Sequence, residues 1–338
     1  MRVLVTCPPM LRAIDEFRSL FAAKEVELFA PNVTQIVPEN ELIELVPKFD
    51  GWIIGDDPAT ARVFEAGRAG KLRAAVKWGV GVDNVDFDAC KRLGIPISNT
   101  PGMFGREVSD VAVGYMTALA RNTFEIDHGV KSGRWPKPAG ISLAGRTVAL
   151  IGFGDIGRNT ARRLLAAEMK LIAYDPFFKT ALGLETVQTA VWPHRFEEAD
   201  FLVLTCALTR ENRHMINRKS LEHAKPGLRI VNVARGPLID ESALVSALDS
   251  QHVHSAALDV FEDEPLPADS SLRRFGHRCV FGSHNGSNTV DAVRRTSHRA
   301  ISLLFEMLDL GNPDGDKPTV TDSLTRPVST SGFSLSEQ

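Results

Sequence analysis

Between residues 147 and 175 the chain carries the residue types that hold a dinucleotide. The apolar run TVALI leads straight into Gly152, Phe153, Gly154, Asp155, Ile156 and Gly157, after which Ala161, Leu164 and Leu165 recur at helical spacing. In such a GxGxxG turn Gly152 permits the tight bend, Gly154 lets a pyrophosphate approach the backbone, and Gly157 lets the helix pack closely on the strand. The helix start offers free N–H groups and a positive dipole end, which favour the pyrophosphate without a basic side chain. After the next apolar run, LIAY, comes Asp175. It lies about twenty residues beyond the glycines, where a carboxylate can accept from both ribose hydroxyls. A 2′-phosphate would meet like charge there, so the pattern points to NAD and away from NADP. A tight turn followed by a surface aspartate is the plainer explanation, but it leaves the coincidence of strand, helix and spaced acid unexplained.

Three further polar residues stand just past expected strands: Arg235 in NVARGPLID, Glu264 in LDVFEDEP and His284 in GSHNGSNT. Parallel sheets place ligand chemistry at the carboxyl ends of their strands. Singly, the arginine could cap its strand, the glutamate could be a solvated loop acid, and the histidine could be structural; convergence in one cleft is what would mark a site. Dinucleotide binding alone names no reaction, because methyltransferases with a similar sheet also use a Gly-rich turn and an acid after the second strand. The cysteines, Cys7, Cys90, Cys206 and Cys279, are far apart and lack CxxC spacing, so neither a metal site nor a disulfide framework is expected. Reduced thiols suit a cytoplasmic protein.

Holding these groups requires two series of strands alternating with helices, the pattern of parallel sheets covered on both faces. The first series is expected at residues 3–6, 26–29, 52–54, 74–77 and 97–99. The run Asn99, Thr100, Pro101, Gly102 then breaks the pattern and marks a domain boundary. An amphipathic helix follows, with Val108, Val111, Ala112, Tyr115, Met116 and Leu119 on one face, and is expected to bridge the domains. Residues 131–140, rich in Gly, Pro and Lys, read as an exposed loop. The second series is expected at 147–151, 171–174, 201–204, 229–233, 255–258 and 279–281. A long helix over about 288–310 should bury Val293, Ile301, Leu304 and Leu308. From Gly311 the composition turns to Ser, Thr, Pro, Gly and Asp without periodicity, and no regular structure is assigned.

At 338 residues the chain exceeds what one core usually holds, so two domains are expected. Its 43% apolar and 24% charged residues suit a globular fold. A net charge of -3 supplies no basic field, so neither a nucleic-acid nor an anionic-membrane partner is expected. No apolar run could span a bilayer, and the one in MRVLVTCPP is too short for a secretory signal.

Taken with VKWGVGVDNVD around Gly79 and NTPGMFGREVSD around Gly102, these motifs make the chain resemble the D-isomer-specific 2-hydroxyacid dehydrogenase family, nearest to its phosphoglycerate-dehydrogenase-like members. The signatures follow the family's order over nearly the whole chain. The resemblance implies an α/β protein with two Rossmann-like domains and parallel sheets, in which the cofactor domain is inserted into a flavodoxin-like substrate domain. Residues 1–100 and 287–338 would form the substrate domain, residues 101–286 the NAD domain, with a cleft between them. It further implies a homodimer; Trp135 either reaches toward a neighbouring subunit or packs locally. The implied activity is hydride transfer between NAD(H) and a small D-2-hydroxy or 2-oxo acid.

On that resemblance Arg235 holds the substrate carboxylate and polarises the ketone, His284 gives the proton that the reduced oxygen needs, and Glu264 orients the imidazole and favours its charged form. Gly152, Gly154, Asp155, Ile156, Gly157, Asp175 and Ala234 would contact the cofactor, with Asp259 near the nicotinamide carboxamide. The GVGVD turn lacks a third glycine, since Asn84 takes its place, and is not a second NAD site. Its Val80 and Gly81 would instead present backbone N–H groups to the substrate carboxylate, the alternative being a plain turn. Three departures stand out. Ala207 replaces a common proline, and Asn285 replaces a common apolar residue. Gly55, Asp56 and Asp57 lie where phosphoglycerate-using relatives place cations; two carboxylates there would repel a phosphate unless Arg62 or Arg106 compensates. Two other readings stay open: a catalytically silent NAD(H)-sensing protein, separated by turnover, and a methyltransferase, separated by S-adenosylmethionine binding.

Overall fold

The computed structural model describes residues 1–311; the expectation for the Ser-rich tail lies beyond Gly311, outside the described residues. The chain divides into two compact units, one built from Met1–Met103 and the segment that starts at Asn288, the other from Phe104–Ser287.

In the first unit β1 (Arg2–Val5), β2 (Glu27–Phe29), β3 (Gly51–Ile54), β4 (Ala74–Lys77) and β5 (Ile97–Asn99) form a fully parallel sheet in the order β2-β1-β3-β4-β5. This is the flavodoxin-like order. Every residue of β3 and β4 is buried, as expected of strands covered on both faces. The chain returns through the helix Val290–Met307, whose first turn is capped by the Thr289 side chain accepting from the Ala292 N–H at 3.1 Å. Val293, Ile301, Leu304 and Leu308 are buried, as their spacing predicts. A side chain at Gly51 would come within 3.0–3.2 Å of the Leu308 and Leu304 methyls, so glycine lets this late helix lie directly on an early strand.

The second unit contains β6 (Thr147–Ile151), β7 (Lys170–Tyr174), β8 (Gln188–Thr189), β9 (Phe201–Leu204), β10 (Leu228–Asn232), β11 (Val253–Leu258) and β12 (Cys279–Phe281). All are parallel, in the order β12-β11-β10-β9-β6-β7-β8. From β6 the chain steps to β7 on one side and later to β9 on the other, so the carboxyl end of β6 is the switch point where such sheets bind ligands. Strand β8 was not expected, because the exposed pair Gln188 and Thr189 carries no apolar signal. Helix Gly105–Arg121 buries Val108, Ala112, Met116 and Leu119 and leaves Val111 and Tyr115 partly covered. It packs on helix Asp155–Ala166, where Arg163 donates to Asp110 at 2.8 Å. Helix Thr123–Lys131 follows it and was also not expected.

The four cysteines are free thiols, and burial pushes Cys7 and Cys90 up to about 12 and Cys279 to about 11. Among the described residues no helix is long and apolar enough to cross a membrane. Leu304→Ala should destabilise the first unit by about 2–5 kcal/mol through the cavity it leaves over β3. Urea unfolding checks this, and an unchanged midpoint would remove the helix from that core.

Candidate active site

The turn after β6 has the backbone its glycines were expected to supply. Gly152 sits at φ +93°, a region that favours glycine, and a side chain there would also strike Cys206 of the loop after β9. The Thr205 hydroxyl donates to the Gly152 carbonyl at 2.9 Å and ties the two loops together. A Cβ on Gly157 would overlap the Gly152 carbonyl, which is the close strand–helix packing its position implied. Gly154 faces open space, with nothing within 4 Å of a built Cβ. The helix then starts at Asp155 with Gly154 as its cap and without a side-chain cap, and Ile156 follows in its first turn. Asp155 uses its carboxylate locally, accepting from the Asn159 amide at 3.0 Å. Asp175, at the end of β7, accepts from the Phe153 N–H at 2.6 Å and the Phe177 N–H at 2.8 Å, so its carboxylate is held against the glycine turn. An open glycine face, a helix N-terminus and an adjacent carboxylate fit a pyrophosphate and a ribose diol.

Arg235, Glu264 and His284 leave the sheet side by side. Their strands β10, β11 and β12 are neighbours, and the ladder continues past the strand ends: Asp259 N–H to Asn232 O at 2.9 Å, Gly282 N–H to Leu258 O at 2.8 Å and His284 N–H to Asp259 O at 2.7 Å. The buried Asn232 side chain accepts from the Ala234 N–H at 3.0 Å and donates to the Arg235 carbonyl at 2.8 Å, which fixes the turn that carries Arg235. One Arg235 guanidinium nitrogen donates to the Ala234 carbonyl at 2.9 Å. A side chain at Gly236 would overlap the Phe261 carbonyl, so glycine is what lets the Arg235 loop press onto the Glu264 loop.

Glu264 has both oxygens engaged. Oε1 accepts from the Phe261 N–H at 2.9 Å, and Oε2 meets His284 Nδ1 at 2.7 Å. Both side chains are largely covered, with 25% and 29% exposure for glutamate and histidine. Because a carboxylate only accepts, this bond puts a proton on Nδ1 and makes Nε2 the position that gains or loses one. Asp259 is buried, and its carboxylate accepts from the Asn285 N–H at 3.2 Å and the Gly286 N–H at 2.8 Å. His214 stands in no recognisable motif, yet its Nε2 lies 2.5 Å from Glu262 Oε1 while its main-chain N–H donates to the Pro237 carbonyl at 2.8 Å. This second histidine–glutamate pair braces the loop after Arg235. A separation of 48 residues left no local signal for it.

Val80 and Gly81 belong to the first unit, in the turn after β4. Gly79 takes φ +141°, its N–H donates to the Thr100 hydroxyl at 2.8 Å, and the Asn99 amide donates to the Val80 carbonyl at 3.0 Å. The expectation that Asp56 and Asp57 together repel an anion needs correction. Asp57 is turned inward, where it accepts from the Val37 N–H at 2.8 Å, the Gly55 N–H at 3.0 Å and the Thr6 hydroxyl. Burial pushes its carboxyl above the ordinary range. Asp56 stays half-exposed but pairs at 2.9 Å with Lys77, a buried ammonium that also donates to the Gly55 carbonyl at 2.5 Å. Arg62, one of the two suggested compensating cations, pairs with Glu39 at 3.2 Å. Adjacent letters gave no sign that these carboxylates face different ways.

A Rossmann-ordered sheet with a phosphate-binding turn at its switch point defines a dinucleotide-binding protein, and the comparisons carry this further. Residues 113–286 match the family model described as D-isomer specific 2-hydroxyacid dehydrogenase, NAD binding domain. The chain is 39% identical over 278 residues to a hydroxypyruvate reductase of Thermotoga maritima, covering 80% of this chain and 89% of that one. It is 36% identical over 301 residues to a D-3-phosphoglycerate dehydrogenase of Methanocaldococcus jannaschii, covering 87% of this chain but 55% of that one. Other phosphoglycerate dehydrogenases it matches are longer still, the chain spanning 41–46% of their length. Among solved structures, a protein of Thermus thermophilus superposes with a TM-score of 0.82 at 30% identity, covering 93% of this chain and 98% of that one. The chain belongs to the D-isomer-specific 2-hydroxyacid dehydrogenase family. It is an NAD-dependent oxidoreductase that transfers a hydride between the cofactor and a 2-hydroxy or 2-oxo acid, and the sensor and methyltransferase readings give way to this one.

Asp175→Ala should raise the NADPH-to-NADH ratio of kcat/KM by about tenfold or more, because like charge no longer meets the 2′-phosphate. Steady-state kinetics with both cofactors checks it; an unchanged ratio would place the ribose elsewhere.

Proposed function

We propose that Arg235, Glu264 and His284 carry the reaction, and that Phe104–Ser287 is the cofactor unit while residues 1–103 with the segment from Asn288 form the substrate unit. The observation that carries this is the Glu264 bridge from the Phe261 N–H to His284 Nδ1, beside the turn that presents Arg235. NAD(H) supplies or accepts the hydride. The Arg235 guanidinium pairs with the substrate carboxylate through its planar fork and draws electron density from the 2-oxo group. Charge then grows on the carbonyl oxygen, and His284 donates its Nε2 proton there. Glu264 stabilises the imidazolium and keeps Nε2 aimed outward from the Nδ1 anchor. In the oxidation direction His284 starts neutral and removes the hydroxyl proton.

Gly152, Gly154, Asp155, Ile156 and Gly157 hold the pyrophosphate, Asp175 the ribose, and Ala234 and Asp259 the nicotinamide end. Val80 and Gly81 offer backbone donors to the carboxylate in a turn opened by Gly79 at φ +141°. The substrate we favour is a small unphosphorylated 2-oxo acid such as hydroxypyruvate or glyoxylate. The long match to a hydroxypyruvate reductase supports it, as does the engagement of the Lys77 charge by Asp56. Homodimerisation is supported by the exposed apolar Phe124, Val130 and Trp135, at 53%, 44% and 75% exposure. The free thiols suit a cytoplasmic setting.

His284→Ala and Arg235→Ala should each lower kcat/KM for hydroxypyruvate reduction by about a hundredfold or more while NADH still quenches tryptophan fluorescence with near-native affinity. Substantial turnover in either variant would refute the assignment. Reduction should slow as pH rises and His284 loses its proton, whereas oxidation should speed up; rate profiles in both directions check the sign. In a panel of phosphohydroxypyruvate, hydroxypyruvate, glyoxylate and pyruvate, a strong preference for the phosphorylated acid would overturn the substrate choice.

A further inference from the structure

The loop after β9 meets the two loops that present Arg235 and Glu264 through His214. This residue takes φ +53°, in the left-handed region that residues with a Cβ rarely adopt. Its main-chain N–H donates to the Pro237 carbonyl at 2.8 Å, two residues past Arg235. The same edge continues with Ile216 N–H to Leu238 O at 3.0 Å and Asp240 N–H to Ile216 O at 2.8 Å. Main-chain bonds alone therefore lace the Arg235 loop to the loop after β9, and the imidazole is not needed for that.

The imidazole turns to a different loop. Its Nε2 lies 2.5 Å from Glu262 Oε1, and because a carboxylate only accepts, the proton of this bond sits on Nε2. Arg213 approaches the same oxygen at 3.4 Å. Glu262 Oε2 accepts from the Glu241 N–H at 3.4 Å, and the Glu262 N–H donates to Glu241 Oε1 at 2.8 Å, a reciprocal clasp with the first residue of helix Glu241–Asp249. Glu262 directly follows Phe261, whose N–H holds Glu264 and whose carbonyl a side chain at Gly236 would strike. Glu262 thus stands where the two loops meet. His214 grips both, one by its main chain and the other by its ring.

We propose that His214 is a positioning residue for the reaction, acting through Glu262 to hold the Arg235 and Glu264 loops in register. The proposal rests on the reading of Arg235, Glu264 and His284 as the reacting groups. His214 touches neither substrate nor cofactor in this role. It fixes the spacing between the guanidinium that holds the carboxylate and the glutamate that aims His284. Small misplacements of reacting groups cost rate far more than binding.

His214→Asn tolerates the left-handed backbone and keeps the main-chain N–H, but is too short to reach Glu262. It should lower kcat for hydroxypyruvate reduction by about tenfold and leave NADH affinity within about twofold. The primary isotope effect with NADH deuterated at the transferred position should rise, because a misaligned substrate makes hydride transfer more rate-limiting. Amide exchange at Phe261 should accelerate by about tenfold while exchange in β10 and β11 stays native. His214→Gln places an amide nitrogen near the reach of Nε2 and should recover most of kcat. Glu262→Ala, the second variant, should reproduce the loss, and combining it with His214→Asn should add little. Native kcat in folded His214→Asn or Glu262→Ala protein would overturn the proposal, as would an equal loss in His214→Gln or a loss confined to stability or NADH affinity. Native turnover in Arg235→Ala would instead overturn the underlying catalytic reading, whatever the His214 variants show.

Discussion

The two oxygens of Glu264 are committed in opposite directions, one to a backbone N–H and one to an imidazole, and the proposed catalytic geometry depends on that division. A carboxylate tied only to a histidine would swing with it. Tied also to the Phe261 N–H, it transmits the rigidity of the β11 loop to His284. That loop is in turn pressed against the Arg235 turn at Gly236, where no side chain would fit. The glycine, the buried Asn232 and the Glu264 bridge together make three loops behave as one support.

The parallel sheet is what makes this possible. Neighbouring parallel strands end at the same edge, so residues that follow β10, β11 and β12 are brought within about two strand spacings of each other although the chain separates them widely. The same edge carries the glycine turn after β6 and Asp175 after β7, on the other side of the switch point. The proposed cofactor and proton-transfer residues thus draw on a single structural rule, applied on the two sides of β6.

Where local pattern and structure agree, the reason is local. The GxGxxG turn needs positive φ and close packing from specific glycines, and those demands are written in consecutive letters. Long apolar strands and the helices with Leu304 or Met116 on their buried faces are similarly self-announcing. Strand β8 escaped because two exposed polar residues have no periodicity to read. Asp56 and Asp57 misled because adjacent carboxylates look alike in a sequence, whereas one is folded inward onto Thr6 and Val37 and the other rests on Lys77.

The sequence by itself determined the alternation of elements, the cofactor turn with its acid, and the identity of the polar residues at the strand ends, because each of these is a property of short segments or of a motif order. Only the tertiary structure decided which groups meet: Glu264 with His284, His214 with Glu262, and Lys77 with Asp56. Hydrogen bonds across 20 to 48 residues depend on strand order and loop approach. Those follow from packing the whole sheet, and no stretch of neighbouring residues encodes them.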